Sequence, residues 1–233
     1  MAKKYTISFN SFDDKDCVID IYINGASGDV IELDPILDAF VIEQDRTNSN
    51  TYTRGIVDTY YNLNFHSKEG VTLQTFNGEE YGDVYFKYYE DTVLLHTGII
   101  TPFDGGSPHE PEGMYSISLS AESGLKYLKN KEFRDASGAI LSGKITLSKA
   151  LGLCLNALQV PNVFPIQTRI AIETYIGATK KGATGDFFTK LIDSEAFKNG
   201  ANTWMSCYEV LTAICADTFD LYFENQKWVV DYN

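Results

Sequence analysis

The sequence predicts a β-rich α+β protein: an antiparallel sandwich or partly closed barrel, followed by an α+β domain with about three to four short helices. Residue types that favour half-buried pleated surfaces are abundant, with 15 Tyr and 14 Phe among 233 residues. Up to about residue 104 the apolar residues recur with a period of two, whereas stripes with helical spacing appear beyond it. We therefore predict two domains, 1–104 and 105–233.

Alternation of apolar and polar residues predicts the first strands. The positions that share a face are Tyr5, Ile7 and Phe9 in "YTISF", and Cys17, Ile19, Ile21 and Ile23 in "CVIDIYI". After the turn "NGASGD", further strands are predicted in "VIEL", "AFVIEQ", "RGIVDTYYNLNF", "GVTLQTF", "GDVYFKYY" and "TVLLHTGIITPF". Seven to nine short strands without an intervening helix are typical of a sandwich or a partly closed barrel.

The pattern changes after "FDGGSPHEPEG" (103–113), which is rich in Gly, Pro and acids and marks a boundary or a long loop. "MYSISLSAESGLKYLKNKEF" predicts a strand that runs into a short helix near 121–130. "TLSKALGLCLNALQV" predicts an amphipathic helix. Its apolar stripe consists of Leu147, Leu151, Cys154, Leu155 and Leu158. A strand in "IQTRIAIETYI" and a helix-like run in "GDFFTKLIDSEAF" follow.

The C-terminal segment predicts a capped helix and a hairpin. Ser206 and Glu209 have the spacing of a capping box. The predicted buried stripe consists of Val210, Leu211, Ile214 and Cys215. The predicted hairpin turns near Asn225, with Leu221 and Phe223 on one strand and Trp228 and Val230 on the other.

"YIGATKKGATGDFF" has two glycines, Gly177 and Gly182, with the spacing of a phosphate-binding loop. Ala183 stands where that motif requires lysine, and Lys180 and Lys181 come too early to reach a phosphate at the helix start. We interpret the segment as a strand-to-helix connector in which Thr184 or Asp186 caps the helix.

The charge of the chain argues against a nucleic-acid-binding protein. The formal net charge is −13, and residues 1–100 carry 7 Lys and Arg against 17 Asp and Glu. Such a surface repels a phosphate backbone. The N-terminus lacks the apolar core of a signal peptide, and no run is long enough to span a bilayer. We expect synthesis in the cytoplasm and no membrane insertion.

No motif in the sequence specifies a catalytic, cofactor or metal site, so we predict none. The three histidines, His66, His96 and His109, accompany no nucleophile motif. The acidic segment Asp13, Asp14 and Asp16 lacks the glycine and terminal glutamate of a calcium loop and predicts a solvated turn.

The four cysteines show no C-x-x-C spacing. Cys154, Cys207 and Cys215 occupy or adjoin apolar helix positions, and we predict buried thiols there; the fourth is Cys17.

Four segments together resemble the tail hub, or baseplate hub, proteins of tailed phages and prophages of gut Bacteroidetes. These segments are "LLHTGIITPFD", "YSISLSAESGLKYLKNKEF", "TLSKALGLCLNAL" and "SCYEVLTAICADTFDLYFENQKWVVDY". In that family a β-rich domain precedes an α+β domain that ends in a capped helix and a hairpin. The resemblance covers about 140 residues by the order and spacing of elements, and it includes no catalytic signature.

The resemblance implies a non-enzymatic virion structural protein. It would form a ring, commonly trimeric, that joins the tail tube to the spike or fibre apparatus, with other copies and other tail proteins as partners. If the ring encloses a DNA channel, acids in the lumen would let the duplex slide. Two alternatives remain open at this point: a glycan-binding module using exposed aromatic side chains, and a cell-wall glycosidase using an acid pair.

Overall fold

The computed structural model describes residues 1–46, 55–101, 115–158, 170–176, 179–181, 190–200, 203–216, 220–224 and 227–232. They form two compact units. The first contains Met1–Glu43 and the described part of Thr59–Ser123. The second contains the described parts of Gln44–Asp58, Gly124–Gln159 and Pro165–Asn233. The independent domains 1–104 and 105–233 stay a prediction.

Seven strands form a closed barrel, which confirms the β-rich prediction. They are β1 (Ala2–Asn10), β2 (Asp16–Ile23), β3 (Ile31–Arg46), β4 (Val57–His66), β5 (Val84–Glu90), β6 (Val93–Ile100) and β7 (Ser116–Glu122). Their order around the barrel is β1-β2-β5-β6-β7-β4-β3. Parallel pairing of β1 with β3 makes this a closed barrel rather than a sandwich, with Tyr5 opposite Ile31 and Ile7 opposite Leu33.

The predicted period of two produces the barrel core. Tyr5 and Ile7 of β1 are buried, while Ser8 between Ile7 and Phe9 is exposed. The predicted face of β2 also points inward, with Ile19 and Ile21 fully buried. Each fully buried side chain of this size stabilises the fold by about 1.5–3 kcal/mol.

The prediction of a strand in "GVTLQTF" is wrong, because this segment contains a 3₁₀ helix, Leu73–Phe76. The Thr72 N–H donates to Thr75 Oγ1 (3.1 Å), and the Thr75 N–H donates to the Thr72 carbonyl (3.0 Å). Such local hydroxyl bonds compete with strand pairing. The helix carries Phe76 into the core, 5.1 Å from the ring of Tyr5.

The two strands predicted in "VIEL" and "AFVIEQ" form the single strand β3. At the break predicted between them, β3 has a backbone irregularity, because Asp38 has a left-handed φ of 57°. Its carbonyl accepts a hydrogen bond from Asn64 Nδ2 (2.7 Å), so the chain stays attached to β4 at this point.

The second unit combines two small sheets with two α-helices. Its elements are the 3₁₀ helix Leu125–Asn130, β8 (Lys144–Thr146), α1 (Leu147–Asn156), β9 (Ile170–Ile176), β10 (Thr179–Lys181), β11 (Leu191–Asp193), the 3₁₀ helix Ser194–Phe197, α2 (Cys207–Cys215), β12 (Asp220–Glu224) and β13 (Lys227–Tyr232). One sheet has the order β10-β9-β13-β12, and the other pairs β11 with β8.

Both predicted amphipathic helices are confirmed. All five stripe residues predicted between 147 and 158 are buried, as are the four predicted on α2. The capping box is present: the Ser206 N–H donates to Glu209 Oε2 (2.7 Å) and the Glu209 N–H donates to Ser206 Oγ (3.2 Å). The predicted C-terminal hairpin forms with Leu221 opposite Val230 and Phe223 opposite Trp228.

The helix-like run predicted in "GDFFTKLIDSEAF" has another structure where it is described. Leu191–Asp193 is a strand, and Ser194–Phe197 is a 3₁₀ helix whose N-cap is Asp193. In the connector, Thr179–Lys181 pairs with β9 as a short strand. Gly177, Gly182, Ala183 and the predicted caps Thr184 and Asp186 lie outside the described residues.

We predict that Gly98→Ala destabilises the barrel by about 1–3 kcal/mol, because an added methyl group would overpack the core. A Cβ at Gly98 would stand 2.5 Å from Phe86 Cε1 and 2.9 Å from Tyr61 Cδ2. The matched control is Gly152→Ala in α1, where a Cβ meets nothing within 4 Å. It should stabilise by about 0.5–1 kcal/mol. Urea unfolding measures both changes, and equal effects of the two substitutions would contradict this packing.

Candidate functional site: the hairpin end of the barrel

Two tight turns lie at the same end of the barrel, which we call the hairpin end. They are residues 11–15 between β1 and β2, and Asp91 and Thr92 between β5 and β6. The register places Cys17 at the start of β2 opposite Glu90 at the end of β5, so the turns are neighbours. Asp91 and Thr92 have φ values of 45° and 71°, the left-handed geometry that suits a two-residue hairpin.

Direct bonds connect the two turns. The Asp16 N–H donates to Asp91 Oδ1 (3.1 Å), and the Asp91 N–H donates to the Asp16 carbonyl (2.9 Å). Lys15 Nζ forms an ion pair with Glu90 Oε2 at 2.9 Å. Within the first turn, the Lys15 N–H donates to Ser11 Oγ (3.2 Å). Each turn therefore holds the conformation of the other.

The ion pair continues into the barrel as a chain of polar side chains. Tyr88 Oη donates to Glu90 Oε1 (2.9 Å). The same hydroxyl lies 3.3 Å from Cys17 Sγ. Lys15, Glu90, Tyr88 and Cys17 thus form one connected path from the exposed turn to the buried core.

Tyr88 and Glu90 each keep one protonation state near neutral pH. The hydrogen bond and charge of Lys15, together with the hydrogen bond from Tyr88, hold the pKa of Glu90 below its ordinary value. Burial, and then the bonds to Cys17 and Glu90, raise the pKa of Tyr88. Tyr88 therefore remains a hydrogen-bond donor and Glu90 a carboxylate. This arrangement holds the two hairpins together and differs from a general acid whose pKa is raised toward neutrality.

An aromatic layer lies beneath the polar path. The ring of Phe40 stacks on Tyr88 with 4.2 Å between centroids and lies 5.8 Å from Tyr61. His96 packs 5.7 Å from Tyr61 and 6.1 Å from Phe40. Close aromatic pairs of this kind each add about 0.5–1.5 kcal/mol beyond area burial.

His96 belongs to this layer. Burial lowers the pKa of His96, while the nearby carboxylate of Glu90 opposes that shift. Its Nδ1 and the hydroxyl of Tyr61 are buried and have no hydrogen-bond partner among the described residues. The imidazole is neutral at pH 7, and it packs as an aromatic side chain.

The outer surface next to the hairpin end contains a groove of about 610 Å³. Its polar lining includes Ser8, Asn10, Asp16, Asp20, Tyr89 and Thr92. Asp20 is 8% exposed, accepts a hydrogen bond from Thr6 Oγ1 (2.9 Å) and pairs with Lys3 Nζ (3.3 Å). Phe9, Cys17 and Val18 also line the groove, so polar and apolar groups meet there.

The remaining candidates from the sequence are placed as follows. Asp13, Asp14 and Asp16 are exposed at the hairpin end, which confirms the prediction of a solvated acidic turn. His66 lies partly exposed on β4, away from the inward face, and His109 lies outside the described residues. All four cysteines are free and buried, as predicted for those in the helices.

Two further observations concern the described part of the chain. It contains no group of three or more His, Cys, Asp or Glu side chains arranged to hold a metal ion. None of its helices has the length and apolar character needed to cross a membrane.

Sequence reasoning missed the path from Lys15 to Cys17. Tyr88 and Glu90 are two residues apart on one strand, so their shared face was readable from the period of two. Their contact with residues 15–17 depends on the pairing of β2 with β5, which are separated by about 60 residues in the chain. No short-range pattern specifies that pairing.

We predict that His96 titrates below the ordinary value of 6.5 in an NMR pH titration. A lowered pKa in the folded state means that the unfolded chain binds the proton more readily. Stability is therefore lost as the pH falls through 6.5 toward the folded-state pKa. His96→Gln should remove this loss from the free energy of unfolding.

Glu90→Gln provides the control because it removes the charge that opposes the shift. It should lower the pKa of His96 further. Glu90 also makes the free energy of unfolding depend on pH, but in a lower pH range. The stabilisation from Glu90 is present above its ordinary pKa of 4.5 and is lost as the pH falls below that value. A pKa of His96 at or above 6.5 would contradict the buried placement.

No protein-family model matches the chain, and no curated protein matches it. The tail protein from Neisseria meningitidis MC58 is similar in structure, with 11% identity and a TM-score of 0.45. This match covers 91% of the chain and 49% of the Neisseria protein.

A second solved structure is the 43 kDa tail protein of prophage MuSo2 from Shewanella oneidensis, with 13% identity and a TM-score of 0.40. The match covers 82% of the chain and 52% of that protein. The chain therefore spans about half the length of the tail proteins that it matches.

Proposed function

We propose that this chain is a non-enzymatic structural component of a phage or prophage tail. In this proposal it forms a ring in the hub or baseplate and joins the tail tube to the spike or fibre apparatus. Its partners are other copies of itself and other tail proteins. Its place is the virion tail, after synthesis in the host cytoplasm.

The order of structural elements carries this proposal. The segments that resemble tail hub proteins form β6, then β7 followed by the 3₁₀ helix Leu125–Asn130, and then α1. The last segment forms the capped helix α2 and the hairpin of β12 and β13. A barrel followed by these elements is the order that the resemblance implies.

The hairpin end supports a role in assembly. The ion pair of Lys15 with Glu90 connects the two hairpins, and Tyr88 donates to the same carboxylate, so these groups stabilise a shape. Phe12 at the tip of the first turn is fully exposed. Exposed apolar side chains with a polar rim are typical of protein–protein contact sites.

Glycan binding is the second candidate, because the groove beside Tyr89 offers an aromatic ring together with hydroxyl, amide and carboxylate groups. Calorimetry with a panel of cell-wall and capsular oligosaccharides separates the two functions. The structural proposal predicts no saturable heat. Saturable binding that disappears in Tyr89→Ala would favour the glycan-binding module.

Location in the virion tests the structural proposal directly. An antibody against this chain, coupled to gold, should label phage particles released by the bacterium that carries the gene. We expect label at the end of the tail, where the tube meets the spike or fibres. Label on heads, along the whole tube or on no particle would contradict the proposal.

A further inference from the structure

Two of the four buried thiols lie together in the second unit. Cys154 is in α1 and Cys207 is the first residue of α2, and both side chains are almost fully buried. The two helices pack against each other. The thiol of Cys154 donates a hydrogen bond to the sulfur of Cys207. Two cysteines that are distant in the chain are therefore in direct contact in the fold.

Local bonds fix the position of Cys207. Its N–H donates to the Lys131 carbonyl (2.7 Å), and its thiol donates to the Glu132 carbonyl, 3.7 Å from the sulfur. Ser206 pairs with Glu132 across an isolated β-bridge. The start of α2 is thus held against residues 131 and 132, and the sulfur of Cys207 stays within reach of Cys154.

The two thiols differ in acidity. The hydrogen bond from Cys154 and the charge of Lys131 lower the pKa of Cys207, although burial opposes this shift. Cys207 also lies at the N-terminus of α2, where the helix dipole favours a negative charge. Burial, and then the bond to Cys207, raise the pKa of Cys154. Because the thiolate is the reacting species, Cys207 is the more reactive thiol of the pair.

Cys215 provides a comparison within the same helix. It is the last residue of α2, and burial together with the negative charge of Asp220 raises its pKa to about 12. Cys207 and Cys215 stand at opposite ends of α2, about 12 Å apart along its axis. The two Cα atoms of a disulfide lie about 4.4–6.8 Å apart. Cys207 therefore cannot form a disulfide with Cys215, and Cys154 is its partner in the second unit.

Cys207 is close to the surface although its own side chain is buried. Glu132 and Glu209 beside it are exposed, and Ser206 is half-buried. A small oxidant such as hydrogen peroxide needs only a local movement at the start of α2 to reach the sulfur. A bulky reagent needs a larger opening of the helix.

We propose that Cys154 and Cys207 are an oxidation-sensitive thiol pair, which a peroxide converts into a disulfide that links α1 to α2. In a reducing cytoplasm the pair stays as two thiols, and in oxidising surroundings the disulfide forms. The inference concerns the second unit alone and does not depend on the proposed tail function.

The reaction has two steps. The Cys207 thiolate attacks one peroxide oxygen, the O–O bond breaks, and hydroxide leaves and takes up a proton to become water, so that Cys207 becomes a sulfenic acid. The Cys154 sulfur then attacks the sulfur of Cys207, the S–O bond breaks, and a second water leaves with the proton of the Cys154 thiol. Two thiols are oxidised to one disulfide, and the peroxide is reduced to two waters.

Oxidation should make the protein more stable. The link closes a loop of about 50 residues in the unfolded chain, which reduces the conformational entropy of that chain. We expect the melting temperature of the oxidised protein to be at least about 5 °C higher than that of the reduced protein. Dithiothreitol should reverse the rise, because it reduces the disulfide.

Peroxide treatment of the purified, fully reduced chain tests the pair. The remaining thiols are alkylated in denaturant and counted by mass spectrometry, and linked peptides are mapped. Wild type should fall from four free thiols to two, with one disulfide between Cys154 and Cys207. Cys215→Ala is the matched control, because it removes a buried thiol of the same helix, and it should keep this link.

Single substitutions separate the roles of the two thiols. In Cys154→Ala, oxidation of Cys207 should stop at the sulfenic acid, which dimedone captures. In Cys207→Ala, Cys154 should form no disulfide and should give at least about tenfold less dimedone adduct, because its thiolate is scarce. Far-UV circular dichroism checks that each variant is folded.

Four free thiols after peroxide treatment, a link through Cys17 or Cys215 in place of this pair, or equal dimedone adducts in the two single variants would each overturn the proposal. An unchanged melting temperature of the oxidised protein would contradict a link between α1 and α2. The peptide map of wild type needs no variant, so it decides the pairing even where an alanine variant does not fold.

Discussion

The parallel pairing of β1 with β3 is the constraint on which the rest of the first unit depends. Without it, the seven strands would form an open sheet with two unpaired edges, which exposes backbone donors and acceptors to unwanted pairing. The pairing from Tyr5–Ile31 to Ile7–Leu33 removes those edges. The pairing of β2 with β5 brings residues 11–15 and 91–92 to the same end of the barrel, and closure places Phe40 of β3 against Tyr88 of β5. The polar path therefore depends on the register of β2 with β5, and the aromatic layer beneath it depends on closure.

The sequence predicted those parts of the fold that depend on residues close together in the chain. The period of two identified β1 and β2, and the capping box at Ser206 and Glu209 identified the start of α2. The prediction from sequence was wrong at "GVTLQTF". The apolar spacing there is compatible with a strand, but threonine hydroxyls stabilise a 3₁₀ helix. The sequence indicated antiparallel strands throughout and did not predict the parallel pairing of β1 with β3. No local sequence pattern specifies which distant strands pair with each other.

In the candidate site, too, the sequence predicted what depends on neighbouring residues and missed what depends on the pairing of distant strands. The exposed acids of the first turn were predicted from the local sequence, which lacks the glycine and glutamate of a calcium loop. The contact of Lys15 with Glu90 crosses 75 residues and could not be predicted before the register was known. Three ionisable groups of the site have shifted pKa values, and their environments hold each in one state near neutral pH: Glu90 charged, Tyr88 protonated and His96 neutral. Such groups define a shape, which is what a component of an assembly requires.

Amide hydrogen exchange tests barrel closure most directly. If β1 and β3 are paired, the hydrogen-bonded amides within residues 5–7 and 31–33 should exchange as slowly as those in the ladder between β2 and β5, since the whole barrel must open to release them. Rapid exchange at 31–33 beside slow exchange in the β2–β5 ladder would show that the sheet is open. That result would contradict the closed barrel and the packing of Phe40 of β3 against Tyr88.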